Sequence, residues 1–196
     1  MPPKCKFTEE EITKAALELT RTEGLSALTA RALGVKLGSS SRPIFSVFES
    51  MDEVQEKVIA SAKKLYADYV EEGLHQKDVP AFKGVGIQYI RFAMEEPKLF
   101  QILFMTEQEE KPDVLEVLPV IEDSYPQILS SVMELYSMEE EQAKRLYRHL
   151  WIYSHGIAVL IATKLCVFSS EEIGEMLTDV CIALIRKMKG EEYDSD

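Results

Sequence analysis

At four predicted helix starts a Ser or Thr stands three residues ahead of a Glu, close to an apolar pattern with helical spacing. These are Thr8…Glu11, Ser50…Glu53, Ser137…Glu140 and Ser169…Glu172. Each reads as a capping box, in which hydroxyl and carboxylate satisfy N–H groups that a first helical turn leaves unpaired. Phe7 before the first cap and Ile12 inside it match a hydrophobic staple. Ile12, Ala15, Ala16 and Leu19 then repeat with helical spacing, and Gly24 supplies a stop. The last segment is the most regular: Ile173, Met176, Leu177, Val180, Cys181, Leu184, Ile185 and Met188 make an apolar stripe two residues wide. Between these ends the spacing predicts a helix at about 50–72, another at 79–95 and a short one after Pro97. A segment broken by Pro112, Pro119 and Pro126 precedes a long helix at 138–166, joined to a helix at 169–189 by a short Phe168-Ser169 turn. No run alternates as a strand does, so the predicted class is all-α.

With 196 residues the chain has room for one or two domains, and 46% hydrophobic residues exclude a disordered one. No basic segment followed by an apolar run opens it, so no secretory signal is read. Cys5, Cys166 and Cys181 form no C-x-x-C pair and read as reduced thiols of a cytoplasmic protein. Residues 150–168 are strongly apolar but contain His155, Gly156 and Lys164, which fits a bundle helix rather than a membrane span. The net charge of −12 is unevenly spread. Residues 1–60 hold 8 Lys/Arg against 9 Asp/Glu, so nearly all the acidity lies beyond them and the N-terminal part keeps room for a basic face.

Residues 25–54 concentrate the functional signal. Thr29 can cap a short helix, Ala30 to Leu37, and Gly38 ends it. The run Ser39-Ser40-Ser41 offers a turn and a new cap for a second short helix presenting Arg42, Pro43, Ser46 and Val47, with Ile44, Phe45 and Phe48 available to pack. Two short helices joined by a Gly-containing turn, behind a supporting helix, make a helix-turn-helix whose second helix can enter a major groove with its N-terminal N–H groups favouring phosphate.

The stretch Leu28-Thr29-Ala30-Arg31-Ala32-Leu33, then Leu37-Gly38-Ser39-Ser40, Ile44-Phe45-x-x-Phe48 and Ser50-x-Asp52-Glu53-Val54 resembles the DNA-binding signature of the TetR family of repressors over residues 8–58. Trp151…His155-Gly156 in the penultimate helix is similar to some members' ligand-domain pattern. The resemblance implies a DNA-binding domain at residues 1–50, a ligand-binding and dimerisation domain at 51–196, and a homodimer on a palindromic double-stranded operator. Thr29 and Arg31 would then hold the DNA backbone, while Ser40, Ser41, Arg42 and Ser46 face the groove. Arg42 would donate two parallel bonds to a guanine edge or contact a phosphate. Phe45 is expected to pack rather than to touch DNA. Phe45, Val47 and Met51 stand where the family often carries phosphate donors, which implies weaker or more salt-sensitive binding. Arg31, Lys36, Arg42 and the arm residues Lys4 and Lys6 remain as cations.

For the C-terminal part, Ile152, Gly156, Val159 and Thr163 form one face, and Met176, Val180 and Leu184 supply another. Together they are the candidate dimer interface. Tyr147, Trp151 and His155 recur every four residues; with Tyr89, Phe92, Phe104, Met105 and Tyr125 they could line a pocket for a hydrophobic or aromatic effector. The same aromatics would serve equally as core. No H-E-x-x-H, phosphate loop or nucleophile elbow appears, so no enzyme, metal or cofactor is expected. The competing reading is a protein-interaction or small-molecule-binding module that has lost DNA binding.

Overall fold

The computed structural model describes residues 6–77, 79–107 and 116–190; Lys4, Cys5 and Pro112 lie outside the described residues. Among the described residues all regular structure is helical, as predicted. The α-helices are α1 (Glu9–Glu23), α2 (Ala30–Lys36), α3 (Met51–Leu74), α4 (Ala81–Glu95), α5 (Pro97–Phe104), α6 (Val117–Ile121), α7 (Tyr125–Tyr136), α8 (Glu140–Ala162) and α9 (Ser170–Lys189). No described helix is long and apolar enough to cross a membrane.

The chain divides into two compact units. The first contains residues up to Ala67 together with Glu96–Glu107; the second contains Asp68–Glu95 and the residues from Gln108 onward. The functional boundary expected at residue 50 coincides with the start of α3, whereas compactness divides the chain within that helix.

In the first unit the local signals act as read. Thr8 Oγ1 accepts from Glu11 N at 3.2 Å, and the Glu11 carboxylate accepts from Thr8 N at 2.8 Å. Gly24 ends α1 at φ +89°, a conformation that costs a side-chain-bearing residue dearly. Thr29 Oγ1 accepts from Ala32 N and opens α2. The core gathers Ile12, Ala16, Leu33, Ile44, Phe48 and Val54, all buried, with Phe7, Leu37, Val47 and Met51 packed at its edge. Each large apolar side chain so buried contributes about 1.5–3 kcal/mol.

Helix α5 also belongs here and packs against α1, although it is distant in sequence. Arg21 of the last turn of α1 donates to both carboxylate oxygens of buried Glu96, the Nε–Oε2 distance being 2.7 Å. Phe104 sets its ring edge-on to Tyr66, with centroids 5.0 Å apart.

In the second unit α4, α7, α8 and α9 pack together, α4 most extensively against α8. The end of α3 and the start of α4 meet backbone to backbone. A Cβ added to Gly84 would lie 2.1 Å from the Gly73 carbonyl oxygen, and one added to Gly73 would lie 2.7 Å from Val85 N. Only glycine fits at both positions.

Two predicted helix ends are corrected. Ser137 does not cap α8; at φ +52° it is the left-handed residue that closes α7. The box moves on to Glu139 and Gln142, which exchange side-chain and backbone bonds across the first turn of α8. Helix α8 stops at Ala162 rather than 166. Thr163 turns its hydroxyl back onto the Val159 carbonyl at 2.6 Å, and Lys164 takes φ +60°. The link to α9 is therefore Thr163–Ser169, longer than the predicted two-residue turn, and Leu165 and Val167 on it are exposed. At Ser50 half the predicted box forms: its Oγ accepts from Glu53 N at 3.2 Å, but the Glu53 carboxylate takes the Glu49 N–H instead.

Candidate nucleic-acid interface and ligand cavity

The predicted reader lies in the first unit. Helix α2 ends at Lys36, Gly38 turns at φ +62°, and residues 41–47 follow. Close approach here depends on buried Gly34, because a Cβ on it would stand 3.0 Å from Ser40 C and Ser41 N. The sequence pointed to Gly38 and the Ser39-Ser40-Ser41 run for the turn, and nothing in it signalled that Gly34 abuts backbone.

The second helix of the motif differs from expectation. It is a single 3-10 turn, Ile44–Ser46, with no side-chain cap. Pro43 lacks an N–H and the Ser41 carbonyl accepts directly from Ile44 N at 3.1 Å, so the serine run provides backbone rather than hydroxyl caps. So short an element brings no N-terminal row of N–H groups for a phosphate. Contacts must come from side chains.

Those side chains sort clearly. Ile44 and Phe48 are buried, and Val47 and Met51 pack partly against the core. Phe45, expected to pack, is instead 48% exposed, because the 3-10 turn aims Ile44 and Phe48 inward and Phe45 away from them. Thr29, Ser40, Arg42 and Ser46 are exposed, while Ser41 and Pro43 are half-buried. The Ser46 hydroxyl donates to the Pro43 carbonyl at 2.6 Å. Among the cations, Lys36 pairs with Glu18 at 3.2 Å and Lys57 with Glu9 at 2.7 Å. Lys6 donates to Ser39 Oγ at 2.9 Å and so ties the arm to the turn. Arg31 and Arg42 are exposed and make no ion pair among the described residues.

In the second unit the sequence-named aromatics form a partial cluster. The Tyr89 hydroxyl and His155 Nδ1 hydrogen-bond at 2.8 Å, and Trp151 stacks on the His155 ring with centroids 5.1 Å apart. Burial pushes the Tyr89 phenol well up and holds the His155 imidazole below its ordinary value, so both are neutral near pH 7. Tyr125 lies 5.9 Å from Tyr147, and buried Phe92 meets Tyr69 edge-on at 5.2 Å. Phe104 and Met105 belong to the first unit, where Met105 is exposed.

A cavity of about 210 Å³ lies within the second unit. Its polar or aromatic walls are Phe82 and Lys83 of α4, Tyr136 of α7, Ser154 of α8, and Thr178 and Cys181 of α9; the rest is proline, glycine and aliphatic. None of the aromatics named from the sequence lines it. Leu177 and Cys181 of the lining belong to the apolar stripe of α9 and are indistinguishable in sequence from filled core. Burial pushes the Cys181 thiol up, offset in part by its Tyr136 contact at 3.6 Å and by the charge of Lys83.

Of the residues named for an interface, Ile152 is 46% exposed on α8, Gly156 has open space around its Cβ position, and Thr163 is exposed. Val159, Met176, Val180 and Leu184 are half-buried.

Residues 82–184, just over half the chain, match the family model described as tetracycline repressor-like, C-terminal domain. The chain is 21% identical over 173 residues to the uncharacterised HTH-type transcriptional regulator YobS of Bacillus subtilis (strain 168), covering 88% of this chain and 87% of that one. Its fold is similar to that of a TetR-like transcriptional regulator from Rhodococcus sp. RHA1, with a TM-score of 0.60 at 12% identity over 93% of this chain and 96% of the other. The chain belongs to the TetR family of helix-turn-helix transcriptional regulators.

Proposed function

We propose that the protein is a homodimeric repressor that leaves a palindromic operator when a small hydrophobic or aromatic effector occupies its C-terminal unit. The observation that carries the DNA half is the reader surface: a filled core holds Ile44 and Phe48 inward while Arg31 and Arg42 stay exposed, with no ion pair among the described residues. Arg42 is the residue assigned to a guanine edge, with Thr29 and Arg31 on the backbone. The dimer half is supported by exposed Ile152, the open Gly156 position and the half-buried Met176, Val180 and Leu184.

Release requires that the effector bind the non-DNA-binding arrangement more tightly. Helix α3 contributes residues to both units, so a shift of it would alter the separation of two readers from the roughly 34–36 Å set by successive major grooves. The effector surface is the cavity together with the neighbouring Tyr89–Trp151–His155 group.

The test is an anisotropy titration of the full chain against DNA flanking its own gene at two salt concentrations. Sequence-dependent binding is expected, weakened by roughly 1–3 kcal/mol in Arg42→Ala for the specific site alone. An equal loss on every sequence reassigns Arg42 to a phosphate. Exposed Phe45, with the missing donors at Val47 and Met51, favours a second reading as a protein-interaction module. Absence of sequence-dependent binding even at low salt would establish that reading over the first.

A further inference from the structure

Resting on the effector reading above, we infer that the cavity takes a small hydrophobic carboxylate whose head group pairs with Lys83. Two of the three hydroxyls around the cavity have their protons committed to helix carbonyls, Ser154 donating to Leu150 O at 2.9 Å and Thr178 to Gly174 O at 2.7 Å, while the third, Tyr136, lies 3.6 Å from Cys181 Sγ. Thr178 Oγ1 is left as an acceptor and takes one bond from Lys83 Nζ at 3.4 Å. An ammonium has three donors, so two remain. No carboxylate pairs with Lys83 among the described residues, although the chain carries 34 of them.

Position adds to the argument. Lys83 sits in the first turn of α4, where the helix dipole favours an anion and disfavours a lone cation. Lys83 and Cys181 both line the cavity, and the ammonium charge is the smallest of the three influences on that thiol. A half-buried ammonium beside Leu150, Leu177 and Ile182 is stabilised by an incoming opposite charge, whereas a neutral ligand gains only an uncharged acceptor's share of the Lys83 donors. The remaining walls suit a hydrocarbon body. At about 210 Å³ the space exceeds the roughly 150 Å³ apolar cavity that admits benzene but falls below the roughly 300 Å³ lower bound for drug-sized sites. One ring or a medium-length chain fits that range.

The test is calorimetric titration of the full chain with octanoate, octanol and octylamine, on the native protein and on Lys83→Met, Lys83→Arg and Gly86→Leu. Octanoate should bind about tenfold tighter than octanol, and octylamine weakest. Lys83→Met should erase that preference while keeping octanol affinity, Lys83→Arg should retain it, and Gly86→Leu should block all three by filling the cavity from α4. Octanol binding as tightly as octanoate, or unchanged octanoate affinity in Lys83→Met, overturns the carboxylate assignment and leaves the effector cavity standing. Octanoate binding that survives Gly86→Leu places the ligand elsewhere and also overturns it. Binding of none of the three overturns both this inference and the cavity as effector site.

Discussion

The two units are built to different standards of closure. In the first, the cluster from Ile12 through Leu33 and Ile44 to Val58 is apolar and almost wholly buried, and among the described residues the polar side chains buried with it are Thr20 and Glu96. Its charged groups sit at the rim, and the one buried carboxylate, Glu96, is held by Arg21. In the second, Tyr89, Gln88, Glu122 and Ser154 are buried, His155 is partly so, and a cavity remains beside them. A filled apolar core resists repacking, whereas a core with a cavity leaves space into which side chains can move or a ligand can enter. The difference suits the DNA reader and effector sensor proposed above.

The contrast breaks hardest in the reader's own core. Phe48→Ala should cost about 3–5 kcal/mol in chemical denaturation, because a closed core cannot collapse around the void. A cost below about 1 kcal/mol would mean that the first unit is as adaptable as the second. Next comes the backbone contact of the second unit. Gly84→Ala should cost about 3 kcal/mol, since its Cβ meets the Gly73 carbonyl, whereas Gly86→Ala, with 3.7 Å to Ser154 Oγ, should be nearly neutral. Equal effects of the two would show that the second unit yields even where helices touch.

Arg21→Ala should cost about 1–2 kcal/mol, less than for a fully buried pair because Arg21 is 44% exposed. Thermal melts of Arg21→Ala and Glu96→Gln separate the roles: stranding the carboxylate should be worse than neutralising it. The smallest effect is protonic. The His155 pKa is lowered in the folded chain by burial, so below about pH 6.5 the unfolded chain binds a proton that the native one resists. Stability contributed by neutral His155 is present above that value and lost as pH falls through the lowered one. His149 shifts the same way, so His155→Gln should flatten the stability slope between about pH 7 and 5 only in part.

Much of this was legible in the residues. The caps at Thr8, Thr29 and Ser169 act within one turn of chain, so their hydroxyls and carboxylates suffice to locate helix starts. The same locality misled at Ser137, where the preceding helix claimed the residue for its left-handed end before the next could use its hydroxyl. Phe45 was read as packing from its type, but a 3-10 turn rotates successive side chains differently from an α-helix and turned it outward.

Thus the sequence by itself determined the all-α class, most of the helix starts and the short helix and Gly38 turn at residues 30–38, since each follows from hydrogen bonds and periodicity within a few residues. Only the tertiary structure decided that α5 joins α1 through Arg21 and Glu96, that Gly73 and Gly84 touch, and that Lys83 rather than the aromatic row faces a cavity. Those are meetings between distant segments. Whether a stripe residue fills space or borders it depends on the volumes of its partners from other helices, which no local pattern records.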